Sequence, residues 1–184
     1  MTDLCPRLQT FIDHMSALVS STRDEAALLA GAREPMRALV AIDDWLPEAM
    51  TRPHPQYYQQ YLLHCDTAER FCVVSFVWGP GQRTPIHDHT VWGVIGMLRG
   101  AERATPYRRT DGKIIRCADE ILLEAGDVEL VSPLIGDIHQ VTNAHADRVS
   151  ISVHAYGANI GKVRRHVFDP QTGAATEFVS GYAN

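Results

Sequence analysis

The stretch TPIHDHTVWGVIGMLRG, residues 84–100, sets two histidines, His87 and His89, around one aspartate in an apolar run punctuated by Gly93, Gly96 and Gly100. In an extended strand, residues i and i+2 share a face. As a strand, this stretch sends both imidazoles into one space and turns Asp88 away. An H-x-H pair alone is a weak signal, since a strand histidine is more often a hydrogen-bonded core or surface residue. His139, fifty residues beyond His89 in SPLIGDIHQVTN, supplies a third imidazole at a predicted strand edge after glycine-rich turns. Three neutral imidazoles converging inside a barrel make a transition-metal site, suited to iron, zinc, copper or nickel.

The texture around these histidines is that of a β-protein. From about Tyr57 onward, short β-branched and aromatic runs alternate with turn signals: FCVVSFVWG, VWGVIGML, KIIRCA, EILLEAGDVELVS, RVSISVHAYG and KVRRHVF. Asp111-Gly112 is a type I′ hairpin signal. Strand-sized pieces at this spacing, without long intervening helices, predict an antiparallel sandwich or barrel.

The first fifty residues read differently. Leu4, Leu8, Phe11, Ile12, Met15, Leu18 and Val19 recur at spacings of three and four, the stripe of an amphipathic helix. A second helical stretch, Arg23 to Ala30, is expected to stop near Gly31, with Pro35 in the first turn of a third through Val40. The prolines of TRPHPQ then end helical character. The expected organisation is one domain over 1–184: helices in 1–50, a barrel over 57–168, and a turn-rich tail, 169–184, packed on it.

Composition narrows the function classes. With a formal net charge of −5 and only short basic stretches, neither a nucleic-acid nor an anionic-membrane surface is indicated. No window reaches the roughly 18 apolar residues of a membrane helix. The N-terminal MTDLCPRLQTFIDHM carries charges where a signal peptide has its apolar core, so a cytoplasmic protein is expected. Cys5, Cys65, Cys72 and Cys117 form no C-x-x-C pair and encode neither a zinc knuckle nor a disulfide framework.

The histidine pattern resembles the cupin family, a jelly-roll β-barrel with two short metal-binding motifs. Gly81, five residues, His87-Asp88-His89, Gly93 and Gly100 follow the first motif, except that Gly93 stands where cupins place a glutamate ligand. Gly126, Pro133, Gly136, His139 and Asn143 follow the second, with one extra residue in each of the first two gaps. Without the glutamate the site has no anionic protein ligand. Ferrous iron there keeps its full charge and open positions, and a thiolate is a strong candidate to fill one. Zinc on the same ligands would instead indicate activated-water hydrolysis.

In DRVSISVHAYG, Ser152, His154 and Tyr156 alternate with Ile151, Val153 and Ala155. Period two puts the polar row on one face of a strand. Either that row points inward and has a task, or it faces solvent above an Ile/Val core. Taken with the histidines, it resembles the thiol dioxygenases, cysteine dioxygenase and its bacterial relative 3-mercaptopropionate dioxygenase. Trp78-Gly79-Pro80-Gly81, HDHT, the later histidine and S-x-H-x-Y recur in that family's order. The resemblance implies Fe(II) on His87, His89 and His139, and an outer hydrogen-bond relay of Ser152, His154 and Tyr156 with the tyrosine hydroxyl aimed at bound ligands. It places Gly93 where mammalian cysteine dioxygenases carry a cysteine crosslinked to that tyrosine, so no thioether forms here.

The resemblance also bears on substrate. Cysteine dioxygenases grip the substrate carboxylate with an arginine shortly before the barrel, and the 3-mercaptopropionate branch has glutamine there. In QYYQQYLLHCD, Gln60 is the best match, with Gln59 one register away, and no arginine lies between Arg52 and Arg70. A glutamine offers no charged bidentate clamp. Arg165 in KVRRHVF resembles an arginine of the 3-mercaptopropionate branch, and as a strand it turns opposite to Arg164. His14, His54, His64, His145 and His166 lie outside the motifs, and Trp78 and Trp92 are pocket-wall or core candidates.

The reaction implied is delivery of both atoms of O2 to the sulfur of a small thiol carboxylate, giving a sulfinic acid. A small thiol and O2 are the expected partners, with 3-mercaptopropionate favoured. Cysteine dioxygenase with relaxed anchoring, a broader thiol oxidase, and a metal-binding cupin sensor without turnover are the alternatives.

Overall fold

In the computed structural model, which describes residues 5–184, two antiparallel sheets close into a barrel and two helices cover one side of it. Helix α1, Pro6–Ser21, begins with proline in its first turn, where the missing N–H costs nothing. It buries Leu8, Phe11, Ile12 and Met15, the expected stripe; Leu4, its expected first member, lies outside the described residues. Helix α2, Glu25–Val40, starts at Asp24, whose side chain accepts from Ala27 N at 2.8 Å.

The expected break at Gly31 does not occur, and α2 runs through both Gly31 and Pro35. Proline at 35 removes the N–H that would bond the Gly31 carbonyl. His14 Nε2, donating from α1, lies 3.1 Å from that oxygen and replaces it. Gly31 is there for packing, since a Cβ would meet Leu18 Cδ1 at 2.8 Å. Among the described residues no helix is long and apolar enough to cross a membrane.

The strands are β1 (Gln59–Cys65), β2 (Cys72–Trp78), β3 (Ile86–His87), β4 (Gly93–Arg99), β5 (Ala101–Thr110), β6 (Lys113–Arg116), β7 (Ile121–Glu124), β8 (Val128–Val131), β9 (Ile138–Asn143), β10 (Ser150–Tyr156), β11 (Arg165–Phe168) and β12 (Ala175–Phe178). One sheet runs β1-β2-β10-β4-β8 and the other β12-β11-β3-β9-β5-β6, with β7 also on β5. This is the cupin jelly-roll with N-terminal helices. Asp111 and Gly112 both have positive φ, 51° and 75°, as a type I′ turn requires. The run EILLEAGDVELVS divides into β7 and β8 around Gly126, whose φ is +94°.

The helices settle how β10 is used. Ile151, Val153 and Ala155 pack with Met36, Leu39 and Val40 of α2 in the larger core cluster. At Gly96 of β4 a Cβ would fall 2.8 Å from both Met36 and Val40, so α2 lies directly on the strand backbone. Burying each such aliphatic side chain contributes about 1.5–3 kcal/mol. The opposite face of β10 looks into the barrel, and every residue of the strand is buried. The solvent-facing alternative for the Ser-His-Tyr row is thereby excluded. Neither face of this strand is wet. The tail adds β12 to the edge of the second sheet and returns to β1, where Ala183 N donates to Gln60 O at 2.8 Å.

Candidate metal centre

The short strand β3 lies between β11 and β9, and its His87 is directly opposite His139. Directly opposed residues project from the same face of a sheet. Strand β3 stops at His87, yet His89 still reaches the same space. Asp137 holds it there, its carboxylate accepting from the backbone N–H groups of His89 (3.2 Å) and Thr90 (2.9 Å). The ring centroids of His87, His89 and His139 are 4.7–5.0 Å apart, and one nitrogen from each lies within 4.8 Å of the others.

Two of these rings are oriented by carbonyls. His87 Nδ1 lies 3.1 Å from Pro85 O and His89 Nδ1 2.9 Å from Asp137 O. A protonated Nδ1 donating to each carbonyl leaves Nε2 free as a lone-pair donor. Burial lowers the His87 pKa to about 4 and those of His89 and His139 well below the usual histidine range. All three are neutral at physiological pH, the state in which imidazole binds a metal.

Among the described residues no carboxylate joins them. Asp88 turns away and accepts from His166, at 2.7 Å from its backbone N and 2.8 Å from its ring Nδ1. Gly93 pairs with Tyr156 across β4 and β10, and a Cβ there would stand 2.9 Å from Tyr156 Cδ1. The donor set is three neutral nitrogens, which suits a transition metal and leaves its charge uncompensated by protein.

Beside the histidines, Tyr156 stacks on His89 with ring centroids 5.5 Å apart. The Tyr156 hydroxyl is 2.7 Å from His154 Nδ1, and His154 Nε2 is 2.8 Å from Ser152 Oγ. Trp78 Nε1 donates to the same serine oxygen at 3.2 Å. Burial lowers the His154 pKa to about 3 and raises that of Tyr156 far above its usual value, so the relay consists of neutral groups.

The three histidines, His154, Tyr156 and Trp78 line a cavity of about 210 Å³, with Ser152 behind its wall. Gln60 and Arg165 are both on its wall and both buried; Gln59 is half-buried and absent from that lining. Arg165 donates from Nη2 to Ser180 Oγ at 2.7 Å, and its Cζ lies 4.6 Å from the centre of the Phe178 ring. Its Nε has no partner, and among the described residues no carboxylate pairs with it. A buried cation left unpaired is costly and marks a place for an anion. Arg164 is exposed and faces Glu177 at 3.5 Å. Gln60 Nε2 donates to Gly181 O at 3.0 Å and approaches Ser180 Oγ at 3.4 Å.

Trp78 is on the cavity wall, whereas Trp92 belongs to the core beneath the helices. Sequence reading missed Tyr58, Asp137 and Ser180. Tyr58 is two residues from Gln60, so strand parity was a usable signal. Ser180 lies in a tail without periodicity, and nothing local pointed to it.

A jelly-roll barrel with three histidines converging inside it is a metal-binding cupin. Residues 57–169 match the family described as cysteine dioxygenase type I, and the chain belongs to that family. Among solved structures it is similar to a conserved double-stranded β-helix protein from Klebsiella pneumoniae at 20% identity and a TM-score of 0.45, covering 61% of this chain and 87% of that one. It is also similar to a cupin superfamily protein from Desulfitobacterium hafniense at 14% identity and a TM-score of 0.48, covering 64% and 93%. A third is an RmlC-like cupin protein from Desulfovibrio desulfuricans, at 25% identity and a TM-score of 0.45, covering 61% and 92%. Family and histidine cluster together fit a non-haem iron thiol dioxygenase, an oxidoreductase.

Proposed function

We propose that this protein is an Fe(II)-dependent dioxygenase of small thiol carboxylates, with 3-mercaptopropionate as the favoured substrate. One observation carries the choice: among the described residues the cavity wall includes one buried cation, Arg165, and no aspartate or glutamate. A carboxylate is matched there. The ammonium group of cysteine has no anionic partner, and a neutral amide, Gln60, occupies the neighbouring wall.

His87, His89 and His139 would hold the iron, which supplies redox chemistry and open coordination positions for a thiolate and O2. The overall change is RS⁻ + O2 → RSO2⁻. Sulfur forms two S–O bonds and loses four electrons, O2 gains them, and no external reductant is needed.

The chain's own residues bind and orient. Arg165 Nη2 and Gln60 Nε2 both reach Ser180 Oγ, which fixes the guanidinium and the amide side by side on the wall, and a substrate carboxylate can accept from the guanidinium N–H groups that Ser180 leaves free. Phe76, Trp78 and Tyr58 wall the cavity with aromatic surface, which excludes water and strengthens those contacts. Tyr156 keeps its proton because burial raises its pKa, and it can donate a hydrogen bond to an oxygen in the cavity.

The test is O2 consumption by iron-loaded protein with 3-mercaptopropionate and L-cysteine at equal concentration, the sulfinate identified by mass. Burying an ammonium without a partner costs at least about 1.4 kcal/mol, so kcat/KM should favour 3-mercaptopropionate by about tenfold or more. A preference for cysteine would make this a cysteine dioxygenase with another group receiving the ammonium. Bound iron without uptake on either thiol would leave a metal-binding module.

A further inference from the structure

The hydrogen-bond chain from Tyr156 runs through His154 to Ser152, where Trp78 also binds, and an uncommitted buried carboxyl lies near that end. Glu102, the second residue of β5, is 2% exposed inside the barrel, opposite Asn143 of β9. Its Oε1 has neither a hydrogen-bond partner nor solvent. Ala101, the residue before it, exchanges hydrogen bonds of 3.1 and 3.0 Å with Ser150 Oγ of β10, which brings the Glu102 carboxyl toward the Ser152 hydroxyl on the same strand and the Trp78 indole on β2. Glu129 on β8 is the charged neighbour that opposes its ionisation, and Tyr156 lies within range of its charge. No cation faces it. A buried carboxyl so placed is costly as an anion and is stabilised as a neutral acid with a proton to donate. Neither metal ligation nor carboxylate anchoring uses this residue.

We propose that Glu102 is a positioning residue that sets the direction of the Ser152–His154–Tyr156 hydrogen-bond chain and thereby whether Tyr156 donates or accepts in the cavity. Neutral Glu102 donates its O–H to Ser152 Oγ. Ser152, which also accepts from Trp78 Nε1 at 3.2 Å, then donates to His154 Nε2. His154 carries its proton on Nδ1 and donates to the Tyr156 oxygen, 2.7 Å away. The Tyr156 O–H is left free to donate to a ligand.

Ionised Glu102 reverses the order. It accepts from Ser152, His154 protonated on Nε2 donates to Ser152, and Nδ1 accepts the Tyr156 proton. One proton leaves, from Glu102. Serine, histidine and tyrosine each retain theirs, and every lone pair and donor of the serine is satisfied in both arrangements. Burial and Glu129 push Glu102 up to about 8, so the donating arrangement holds below that pH and the accepting one above it.

The kinetic consequence rests on the dioxygenase reading; the tautomer of His154 does not. The experiment is therefore 15N NMR of the His154 ring in protein with diamagnetic zinc in the three-histidine site, near pH 6.5 and near pH 9. Wild type should carry the proton on Nδ1 at the lower pH and on Nε2 at the higher. In Glu102→Gln the amide donates to Ser152 at every pH, and His154 should stay Nδ1-protonated. Glu129→Gln, which lies outside the chain, should move the wild-type switch to lower pH. A single His154 tautomer across the range in wild type, or a switch persisting in Glu102→Gln, overturns the proposal.

In iron-loaded protein, turnover should fall as pH passes about 8, and that limb should vanish in Glu102→Gln. A limb surviving in this variant severs the link to Tyr156. Absent turnover on every thiol, with the tautomer switch intact, would sink the dioxygenase reading and leave the role of Glu102 standing.

Discussion

Gly93 shapes the site by what it lacks. A glutamate there would add an anionic ligand, and any side chain would crowd Tyr156, since a Cβ stands 2.9 Å from its Cδ1 and 3.0 Å from Val131 Cγ2. Both neighbours are packed in the interior, so little room exists for either to yield. Two substitutions separate packing from chemistry. Gly93→Ala should displace the Tyr156 ring, costing about 1–3 kcal/mol and lowering Tm. Tyr156→Phe keeps the ring and removes the hydroxyl, so Tm should fall by no more than the loss of one buried hydrogen bond, about 1–3 kcal/mol, accounts for, while kcat falls by about a hundredfold. Metal content should hold in Tyr156→Phe, because the hydroxyl hydrogen-bonds His154 and none of the three clustered histidines, His87, His89 and His139. Loss of metal in Tyr156→Phe would place the hydroxyl in the ligand shell instead. The three histidines were legible because parity and motif spacing both report them. Ser180 and Asp137 were not, because their roles arise from contacts far away in sequence.

At the scale of elements, period two is a reliable signal when a strand has distinct faces, and β10 has two buried ones. Its alternation therefore revealed the Ser-His-Tyr row without revealing which side was inside; the helices decided that by covering Ile151, Val153 and Ala155. Helix α2 was misread for a related reason. Glycine and proline stop an isolated helix, but here a neighbouring helix fills the gap at Gly31 and supplies a donor for its carbonyl. The tail is the element with most bearing on the site. Strand β12 carries Phe178 and leads to Ser180, which accepts from Arg165. A hydrogen bond to a buried charged group contributes about 1.5–3 kcal/mol. Ser180→Ala should therefore loosen the guanidinium and raise KM for the thiol acid about tenfold, with kcat altered less than about twofold. An unchanged KM would show that packing on Phe178 alone holds Arg165.

Across the whole molecule, the interior titratable groups oppose one another with pH. His87, with a pKa of about 4, and His154, with one of about 3, together with His89 and His139, are buried neutral. Their folded pKa values lie below the unfolded value near 6.5, so stability is full above that pH and declines as pH falls toward the folded values. Glu102 is buried and Glu129 half-buried, and desolvation raises their pKa values to about 8 and about 7 from 4.5. Their contribution has the opposite sign: full below pH 4.5 and lost as pH rises to the folded values, at roughly 1.4 kcal/mol per pH unit for each. Four histidines outweigh two glutamates below pH 6.5, and the glutamates act alone above it. Metal-free protein should accordingly melt highest near pH 6.5 and lose stability on both sides. Replacing both carboxyls, Glu102→Gln with Glu129→Gln, should flatten the decline between about pH 6.5 and pH 8 while leaving the acid side in place. An alkaline decline of unchanged steepness in the double variant would show that these carboxyls are already ionised in the folded barrel, and that solvent or a counter-charge reaches them there.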